Sequence, residues 1–494
     1  MQTVDRLFGL VTALFSALLF GCTTTPAEQA EPQRPKIVIV TMFERGADSG
    51  DAPGEFQLWN ERRKLTRVFS FHGHHDLHMD ESGDLLAIVT GVGTAKAAAS
   101  VMALGMDPRF DLSQSYWLIA GISGFDPNDA SLGSAAWAEY LVDGDLAHEI
   151  DAREKPADWQ WGYIARHTKV PFDPNKPEPR GEVFRLNPAL VQWAYELTRD
   201  MTLPDSTALA ASRSRYTNYP NARKPPFVLR GDHLAALTFW HGEILNGWAN
   251  AWVDYWSDGN GEFVSSAMED TGSFQSLTYL NRLGRANKDR VLVLRTASNY
   301  TVPPPGVGAA ENLLSENDGY SGLGAALESA YRVGSVVIDT LLADWPRYRD
   351  TTPEPAMSTS AHLSHEHVYH LIQAKHWQQA VATGDMYFPP TFEQDGFTHA
   401  TANPEMLLPV ANHFYTDVPG DWLCLKMTVR SLSNAGVDVV FEGTAPVGDK
   451  AANFEGSDAE LFPHILGGIP PAAVLDVLEV SRDDSGRFLA IDDL

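Results

Sequence analysis

Short apolar runs alternate with stretches of helical periodicity along the first 350 positions. The apolar runs lie at 37–42, 85–90, 116–120 and 291–294. They are rich in β-branched residues, as expected of strands buried on both faces of a sheet. Residues 94–104 and 322–345 instead have the periodicity of helices. The alternation predicts an α/β fold, a mixed sheet with flanking helices, in which ligands bind at the carboxyl ends of the strands.

The composition and the pattern of apolar residues change after residue 350. Residues 351–365 are rich in Thr, Pro, Ser and His and have the composition of a linker. Beyond them, short apolar segments are separated by Gly, Pro and acidic turns. We therefore expect a first domain over residues 36–350 and a smaller α+β domain over residues 366–494.

The amino terminus has the pattern of a secretory signal over residues 1–22. Its apolar run at 7–21 is shorter than the about 20 residues of a membrane-spanning helix. The string that ends in Cys22 resembles a bacterial lipobox, which predicts lipidation of Cys22 and a tether over residues 23–35. This interpretation places the protein in the bacterial cell envelope, lipid-anchored on the periplasmic side. A plain signal peptide or an amino-terminal anchor is the alternative.

The net charge of the chain bears on which macromolecules it can bind, and its two cysteines bear on whether it can form a disulfide. The chain has 37 Lys and Arg against 64 Asp and Glu, a formal net charge of -27. Such a surface repels phosphate backbones and anionic headgroups, so we expect no nucleic-acid partner and membrane contact only through the lipid anchor. With Cys22 lipidated, Cys424 has no partner for a disulfide, and its apolar neighbours predict a core position.

Glycine-rich segments follow two of the predicted strands. Gly91 and Gly93 lie between a strand and a helix, where backbone N–H groups can bind an anion. A tight turn that only permits close packing is the alternative, because the segment is neither a Walker loop nor a complete dinucleotide fingerprint. Gly121, Ser123 and Gly124 are expected to form a similar turn after the strand at 116–120.

Five motifs occur in an order that resembles the nucleoside phosphorylase and nucleosidase superfamily. They are a first strand running into MF and acidic residues, then TGVGTAKAAAS, YWLIAGISG, AMEDTG and RTASN. Within that superfamily they are most similar to the purine nucleoside permease family, over about residues 36–350. The resemblance implies a nucleoside-phosphorylase-like fold and purine nucleosides as ligands.

The resemblance also implies roles for the Met-Glu pair and for the residues that follow the last strand. Met268 and Glu269 match the pair that binds the ribose, although a helix-terminal Glu favoured by the helix dipole is the alternative. Ser298 and Asn299 match the residues that contact the base. Asn299 replaces the Asp of many relatives, so it can donate a hydrogen bond to the purine but cannot deliver a proton.

Cleavage of an N-glycosidic bond needs a nucleophile on the face opposite the base. Glu55 resembles the family's loop carboxylate that activates water, and Glu44 is a second candidate; either is otherwise a solvated loop residue. Two nearby carboxylates disfavour a phosphate dianion, which favours hydrolysis over phosphorolysis with phosphate as co-substrate. Phe239 and Trp240 are the candidates for stacking on the base.

In the second domain the segments VYH, FPP, GFTH and LFPH follow one another, at 368–370, 388–390, 396–399 and 461–464. Their order resembles a small uncharacterised bacterial family whose fold is related to ADP-ribosyltransferases, over residues 366–482. That relation implies NAD as a ligand, with His370 and His399 in the role of its ribose-binding histidine. Glu442 and Glu460 are present, but neither is placed as the late catalytic Glu. Structural histidines in a binding or degenerate module are the alternative, and the histidine spacing does not match a zinc motif, so we expect no metal.

Taken together, the sequence predicts a protein that binds purine nucleosides and cleaves their N-glycosidic bond by hydrolysis or phosphorolysis, in nucleoside metabolism or salvage. No resident cofactor is expected. The alternative is a nucleoside-binding component of nucleoside transport that performs no catalysis. Base preference and homo-oligomer formation stay open.

Overall fold

A computed structural model of the chain describes residues 31–316, 319–355, 367–454, 457, 461–492 and 494. The chain divides into two compact units. The second unit comprises Pro188–Leu197, Ser257–Glu262 and Pro353–Leu494, and the first comprises the rest. Within the described residues, no helix combines the length and apolarity needed to span a membrane.

Strands and helices alternate over residues 31–352, as the hydrophobic pattern predicts. The strands are β1 (Ile37–Thr41), β2 (Arg67–Phe69), β3 (Leu77–Met79), β4 (Leu85–Val89), β5 (Tyr116–Phe125), β6 (Ala135–Ala138), β7 (Tyr140–Asp143), β8 (Ala147–Glu149), β9 (Tyr163–Ala165), β10 (Val183–Arg185), β11 (Val228–Arg230), β12 (Asp232–Ala235), β13 (Phe263–Ala267) and β14 (Val291–Tyr300). The helices are α1 (Gln57–Arg63), α2 (Thr94–Met106), α3 (Pro188–Thr198), α4 (Thr207–Ser214), α5 (Glu243–Trp256), α6 (Asp270–Arg282), α7 (Ala309–Ser315), α8 (Leu323–Ala343) and α9 (Trp345–Tyr348).

Twelve strands of the described residues form one mixed sheet. Its main path runs β10-β7-β12-β13-β5-β1-β4-β3-β2, while β14 pairs with β5 and β6, and β11 pairs with β6. Strands β4, β1, β5 and β14 are successively parallel, whereas β13 is antiparallel to β5. Every residue of β1, β4 and β14 is buried, which explains their continuous apolar runs. The predicted α/β class with a mixed sheet is confirmed.

The predicted turn at Gly121, Ser123 and Gly124 is wrong. These residues lie inside β5, which continues to Phe125 because β14 pairs with it in parallel along its length. The register of this pair shifts only once, between Ala297 and Asn299. The small residues therefore serve close approach between strands and site residues, and they do not end the strand.

Tryptophans at a spacing of four build the core beneath one face of the sheet. Trp248, Trp252 and Trp256 of α5 are each at most 2% exposed and pack with Val142 and Phe263 of the neighbouring strands. This packing follows from the helical spacing, which places the three indoles on one face of α5.

The second unit has two small antiparallel sheets and short helices. Its strands are β15 (Val368–Gln373), β16 (Thr398–His399), β17 (Trp422–Met427), β18 (Val439–Glu442), β19 (Phe462–Ile465), β20 (Asp476–Arg482) and β21 (Phe488–Ile491). Its helices after residue 353 are α10 (Ala374–Thr383), α11 (Phe392–Asp395), α12 (Leu407–Phe414) and α13 (Val429–Asn434). The sheet orders are β15-β17-β20-β21 and β16-β19-β18. Cys424 of β17 is fully buried in the core, as predicted.

Candidate active site

Carboxyl ends of several strands of the first unit surround a cavity of about 260 Å³. This volume lies just below the about 300–1,000 Å³ of typical small-molecule pockets. Nine residues predicted from the sequence form part of its wall: Glu55, Ser123, Gly124, Phe239, Trp240, Met268, Glu269, Ser298 and Asn299. Residues more than 240 positions apart in the chain therefore meet at the sheet edge where an α/β fold binds ligands.

Glu55 ends the loop after β1 and is buried, with 5% of its surface exposed. Its Oε2 accepts the Met42 N–H at 2.8 Å, and its Oε1 accepts the Ile122 N–H at 2.7 Å. Burial raises the pKa of Glu55 from 4.5 to about 7, although Arg295 and the two backbone N–H groups oppose this rise. A carboxylate with a pKa near neutrality is suited to accept a proton from water.

At Gly121, strand β5 has no side chain and passes directly beside Glu55 and Arg295. A Cβ at this position would lie 2.7 Å from Glu55 Oε1 and 2.6 Å from Arg295 Nη1. Neither atom can move away, because Arg295 is 1% exposed and Glu55 is held by two backbone bonds. Glycine at this position therefore permits the close approach of the carboxylate and the guanidinium.

Glu269 lies directly before α6, and the Met268 N–H donates to its Oε2 at 3.3 Å beside two further donors. Its Oε1 accepts the Gly93 N–H at 3.0 Å, and its Oε2 accepts Arg295 Nη2–H at 3.1 Å. The turn at Gly91 and Gly93, predicted to bind an anion, thus binds this carboxylate through Gly93. The arrangement fixes the rotamer of Glu269 while its neighbour Met268 lines the cavity.

Sequence reasoning missed a buried charge network behind Glu269. Arg295 donates to Asp270 Oδ2 at 2.6 Å and to Asp270 Oδ1 at 3.2 Å, and His233 Nε2 lies 2.9 Å from Asp270 Oδ2. Burial alone would raise the pKa of Asp270, but Arg295 and His233 lower it well below its usual range. Asp270 follows Met268 and Glu269 directly in AMEDTG, so the motif itself contained the missing signal.

Asn299 is held in one orientation by neighbours on both sides. Ser298 Oγ lies 2.9 Å from Asn299 Oδ1 and 3.2 Å from the Ser123 carbonyl oxygen, so its single proton bonds to one of them at a time. Asn299 Nδ2 donates to Glu316 Oε2 at 3.2 Å. One of the two Nδ2 hydrogens therefore stays available to a ligand.

Glu316 is a second residue that sequence reasoning missed. Burial raises its pKa from 4.5 to about 7, opposed by bonds from Asn312 and Asn299. It follows α7 in a segment without any of the five motifs, so only the fold brings it to Asn299. Two carboxyl groups with a pKa near 7 therefore belong to the site. Glu55 lines the cavity, and Glu316 is hydrogen-bonded to the lining residue Asn299.

Aromatic rings and hydroxyls complete the wall. Phe239 and Tyr320 have parallel rings, with 4° between their planes and centroids 6.4 Å apart. Trp240 packs against Phe263, with centroids 5.9 Å apart. In the part of the chain that the structure describes, the buried Ser123 Oγ has no hydrogen-bond partner. A flat ring bound in the cavity can therefore pack against aromatic side chains and hydrogen-bond to the Ser123 hydroxyl.

Glu44, the second predicted base, does not reach the cavity. Its carboxylate accepts the N–H groups of Phe56 at 3.0 Å and Gln57 at 2.6 Å, and also that of Gly54. It therefore closes the loop onto the start of α1, where carboxylates are favourable. The catalytic prediction for Glu44 is corrected to a structural one.

The histidines of the second unit lie in two different surroundings. His370 is 3% exposed, its Nδ1 donates to the His399 carbonyl at 2.7 Å, and burial lowers its pKa to about 4. His399 pairs with Asp395 at 3.0 Å, and His464 with Glu442 at 3.0 Å. His399 and His464 line a cleft of only about 30 Å³, which His370 does not line. Glu460 lies outside the described residues.

Family models match both units. Residues 34–353 match the purine nucleoside permease (NUP) family. Residues 371–477 match DUF952, a family of proteins of unknown function. The first match spans more than half of the chain.

Named relatives and solved structures resemble the first unit. A probable purine nucleoside permease of Schizosaccharomyces pombe is 28% identical over 68% of this chain and 99% of its own length. A purine nucleoside permease of Candida albicans is 28% identical over 64% of this chain and 76% of its own length. A 5′-methylthioadenosine/S-adenosylhomocysteine nucleosidase of Neisseria meningitidis matches 62% of this chain and 99% of its own at 15% identity and a TM-score of 0.37. The futalosine hydrolase of Helicobacter pylori matches 63% and 98% at 13% identity and a TM-score of 0.39.

The predicted location in the bacterial cell envelope is wrong. The relatives just named that carry the permease description are proteins of a fission yeast and of Candida albicans, not bacterial envelope lipoproteins. Cys22, the predicted lipidation site, lies outside the described residues. The relatives support a function connected with nucleosides.

Proposed function

The chain belongs to the purine nucleoside permease family, and we propose that its first unit binds a purine nucleoside and cleaves the N-glycosidic bond with water. One observation carries the proposal. Glu55 and Glu269 are both buried in the wall of one cavity and both interact with Arg295, while Asn299 lines the same cavity. These are the groups that activation of water, binding of ribose and stabilisation of a leaving purine require.

Glu269 binds the ribose in this proposal. Gly93, Arg295 and the Met268 N–H hold its carboxylate in place at the cavity wall, and the two carboxylate oxygens are the acceptors that Glu269 offers there. Ribose hydroxyls donate to these oxygens through charge-assisted bonds. A nucleoside without the 2′-hydroxyl leaves a buried carboxylate oxygen unpaired and binds less well.

Glu55 acts as the general base. The water oxygen forms a bond to C1′ of the ribose while Glu55 accepts one of its protons, and the electron pair of the C1′–N9 bond leaves with the base. The transition state carries positive charge on the sugar, and the carboxylates of Glu55 and Glu269 stabilise that charge. The products are ribose and the free purine.

Asn299 stabilises the departing base. Glu316 accepts one of its Nδ2 hydrogens and Ser298 donates to its Oδ1, so the amide presents its second N–H to a purine nitrogen. The base takes its proton from solvent after the bond has broken. Phe239, Tyr320 and Trp240 surround the purine with apolar surface.

Charge favours water over phosphate as the nucleophile. Arg295 is the guanidinium in the cavity wall, and it is already bonded to Glu269 and Asp270. Gly93, whose N–H would be a donor for phosphate, is bonded to Glu269. A phosphate dianion would therefore meet two buried carboxylates without a free cation among the wall residues, which is unfavourable.

A second candidate function is capture of the nucleoside for transport without cleavage. The relatives' description as permeases favours it, and so does Asn299, which cannot protonate the leaving base. The two functions share the binding site, and they differ in whether free base accumulates.

Product analysis separates these functions. Purified chain is incubated with inosine or adenosine, with and without phosphate, and the products are resolved by chromatography. Hydrolysis predicts free base and ribose at equal rates in both conditions. Ribose 1-phosphate would show phosphorolysis instead, and calorimetric binding without any base release would show capture.

A further inference from the structure

The loop that carries Glu55 lies against a pair of histidines outside the cavity. Asp48 is in this loop, His75 precedes β3, and His78 is within β3. The side chain of His78 is 8% exposed, whereas those of His75 and Asp48 are 26% and 32% exposed. None of the three residues takes part in the proposed reaction or lines the cavity.

Their ligand atoms converge. His75 Nε2 lies 2.8 Å from Asp48 Oδ1, His78 Nε2 lies 3.4 Å from Asp48 Oδ2, and one such atom from each residue lies within 4.8 Å of the others. Zinc bonds to His nitrogen and carboxylate oxygen are about 2.0–2.2 Å long, which places tetrahedral ligands about 3.3 Å apart. The two imidazole nitrogens approach the two oxygens of one carboxylate at 2.8 and 3.4 Å, so small side-chain adjustments would bring one atom from each residue to such a separation.

Second bonds of the imidazoles fix their tautomers. His75 Nδ1 contacts the Asp76 carbonyl oxygen at 2.9 Å, and His78 Nδ1 contacts the Leu65 carbonyl oxygen at 3.3 Å. A carbonyl only accepts, so both Nδ1 atoms carry hydrogen and a neutral ring has its Nε2 lone pair toward Asp48. Histidines that bind metals show this arrangement, with the outer N–H donated to a carbonyl.

Two lone pairs aimed at one carboxylate are favourable only with a cation between them. A proton on one ring would satisfy one of the two contacts, and protons on both would place two positive rings 5.7 Å apart. One divalent ion satisfies all three residues at once. Nitrogen ligands with a single carboxylate suit zinc and related transition metals, whereas calcium and magnesium prefer oxygen.

We propose that Asp48, His75 and His78 bind one divalent transition-metal ion of the Zn²⁺ class, which fastens the Glu55 loop to the β2–β3 hairpin. The Phe56 ring, next to Glu55 in the chain, packs on both imidazoles, with centroids 5.8 Å from His75 and 4.9 Å from His78. The ion therefore orders the segment that positions Glu55. Water fills the fourth coordination position.

Metal binding is tested on the purified full chain after treatment with a chelator. Calorimetric titration with Zn²⁺ should show one ion per chain, and a free concentration 100-fold above the Kd should raise the Tm by about 3–5 °C. Co²⁺ in its place should give the visible absorption of a four-coordinate ion. Absence of saturable binding at one ion per chain would overturn the proposal.

Matched variants locate the site. His75→Gln and Asp48→Asn should each weaken Zn²⁺ binding at least about tenfold, and His78→Gln should abolish the Co²⁺ absorption. His74→Gln is the control, because this exposed neighbour is outside the cluster, and it should bind as the unmodified chain does. Equal affinity in His75→Gln, Asp48→Asn and His74→Gln would contradict the assignment. Because His75 and Asp48 are partly exposed, these two variants decide the question even where His78→Gln does not fold.

Discussion

Both units bury ionisable side chains, but they differ in the space beside them. In the first unit, Glu55 and Glu269 line a cavity of about 260 Å³. In the second unit, His399 and His464 are each paired with a carboxylate beside a cleft of about 30 Å³, far below the about 300 Å³ at which typical small-molecule pockets begin. Burial of charge alone therefore does not identify a site for a nucleoside-sized ligand.

The two units also differ in whether their most deeply buried ionisable groups border open volume. Glu55 and Glu269 accept hydrogen bonds from backbone or Arg295 donors and at the same time line the open cavity. His370 donates to a backbone carbonyl and lies off the cleft wall. We therefore propose catalysis for the first unit, and NAD binding by the second stays a prediction from its resemblance. The following predictions test this division from the largest effect to the smallest.

Replacement of the general base should have the largest effect. Glu55→Gln removes the group that accepts the proton of water, and we expect kcat for base release to fall about 10³-fold while nucleoside binding is retained. Rates are measured by chromatography and binding by calorimetry. Glu81→Gln, at an exposed position, is the control and should leave the rate unchanged. Full activity of Glu55→Gln would remove the catalytic assignment.

Ribose recognition should show a smaller and more selective loss. We expect Glu269→Gln to lower kcat/KM for inosine about 100-fold and to abolish the preference for inosine over 2′-deoxyinosine, because the charged acceptor for the hydroxyl is gone. Measuring both substrates on both proteins supplies an internal control. An unchanged ratio between them would place ribose recognition elsewhere.

Acidity of Glu55 should set the pH dependence of the rate. The base must be ionised, so kcat/KM should rise about tenfold per pH unit below about 7 and level off above it. Glu316 has a similarly raised pKa, and the profile of Glu316→Gln shows which carboxyl is responsible. We expect kcat/KM to rise with pH in Glu316→Gln as it does in the unmodified chain. Loss of this rise would assign the titration to Glu316.

The same raised pKa should lower the stability of the fold as pH rises. Because the folded chain binds the Glu55 proton more tightly than the unfolded chain, this stabilisation is complete below pH 4.5 and is lost as pH rises through about 7. The shift corresponds to about 3 kcal/mol in the free energy of unfolding. Urea unfolding of the unmodified chain and of Glu55→Gln across this range measures the difference, and parallel curves would contradict it.

Substitutions in the second unit should have the smallest effect on nucleoside cleavage. His399→Gln and His464→Gln each break a histidine–carboxylate pair, and we expect the rate of base release to change less than twofold. The same variants are tested for nicotinamide release from NAD. A tenfold loss of nucleoside cleavage would show that the division of function between the units is wrong.

Much of the first unit could be predicted because its strands and motifs are local features. The runs at 37–42 and 85–90 become β1 and β4, and Met268, Glu269 and Asn299 are positioned by strand ends. Glu316 and Tyr320 could not be found in this way, because only tertiary folding brings them to Asn299 and Phe239.

Two errors have a physical cause that sequence patterns do not reveal. Gly121 resembles a turn residue, yet β14 extends the strand past it and the glycine instead makes room for Glu55. Glu44 and Glu55 lie in the same predicted loop, but in the structure Glu44 binds the N–H groups at the start of α1 whereas Glu55 lines the cavity. His75 and His78 are three residues apart, but Asp48 joins them only through the fold.

The most direct test of the central claim is a single-turnover experiment without phosphate. Purified chain in excess over inosine is quenched at intervals, and free hypoxanthine is measured for the unmodified chain and for Glu55→Gln at equal calorimetric occupancy. We predict complete conversion to hypoxanthine and ribose by the unmodified chain and about 10³-fold slower conversion by Glu55→Gln. Intact inosine on the fully occupied, unmodified chain would contradict it.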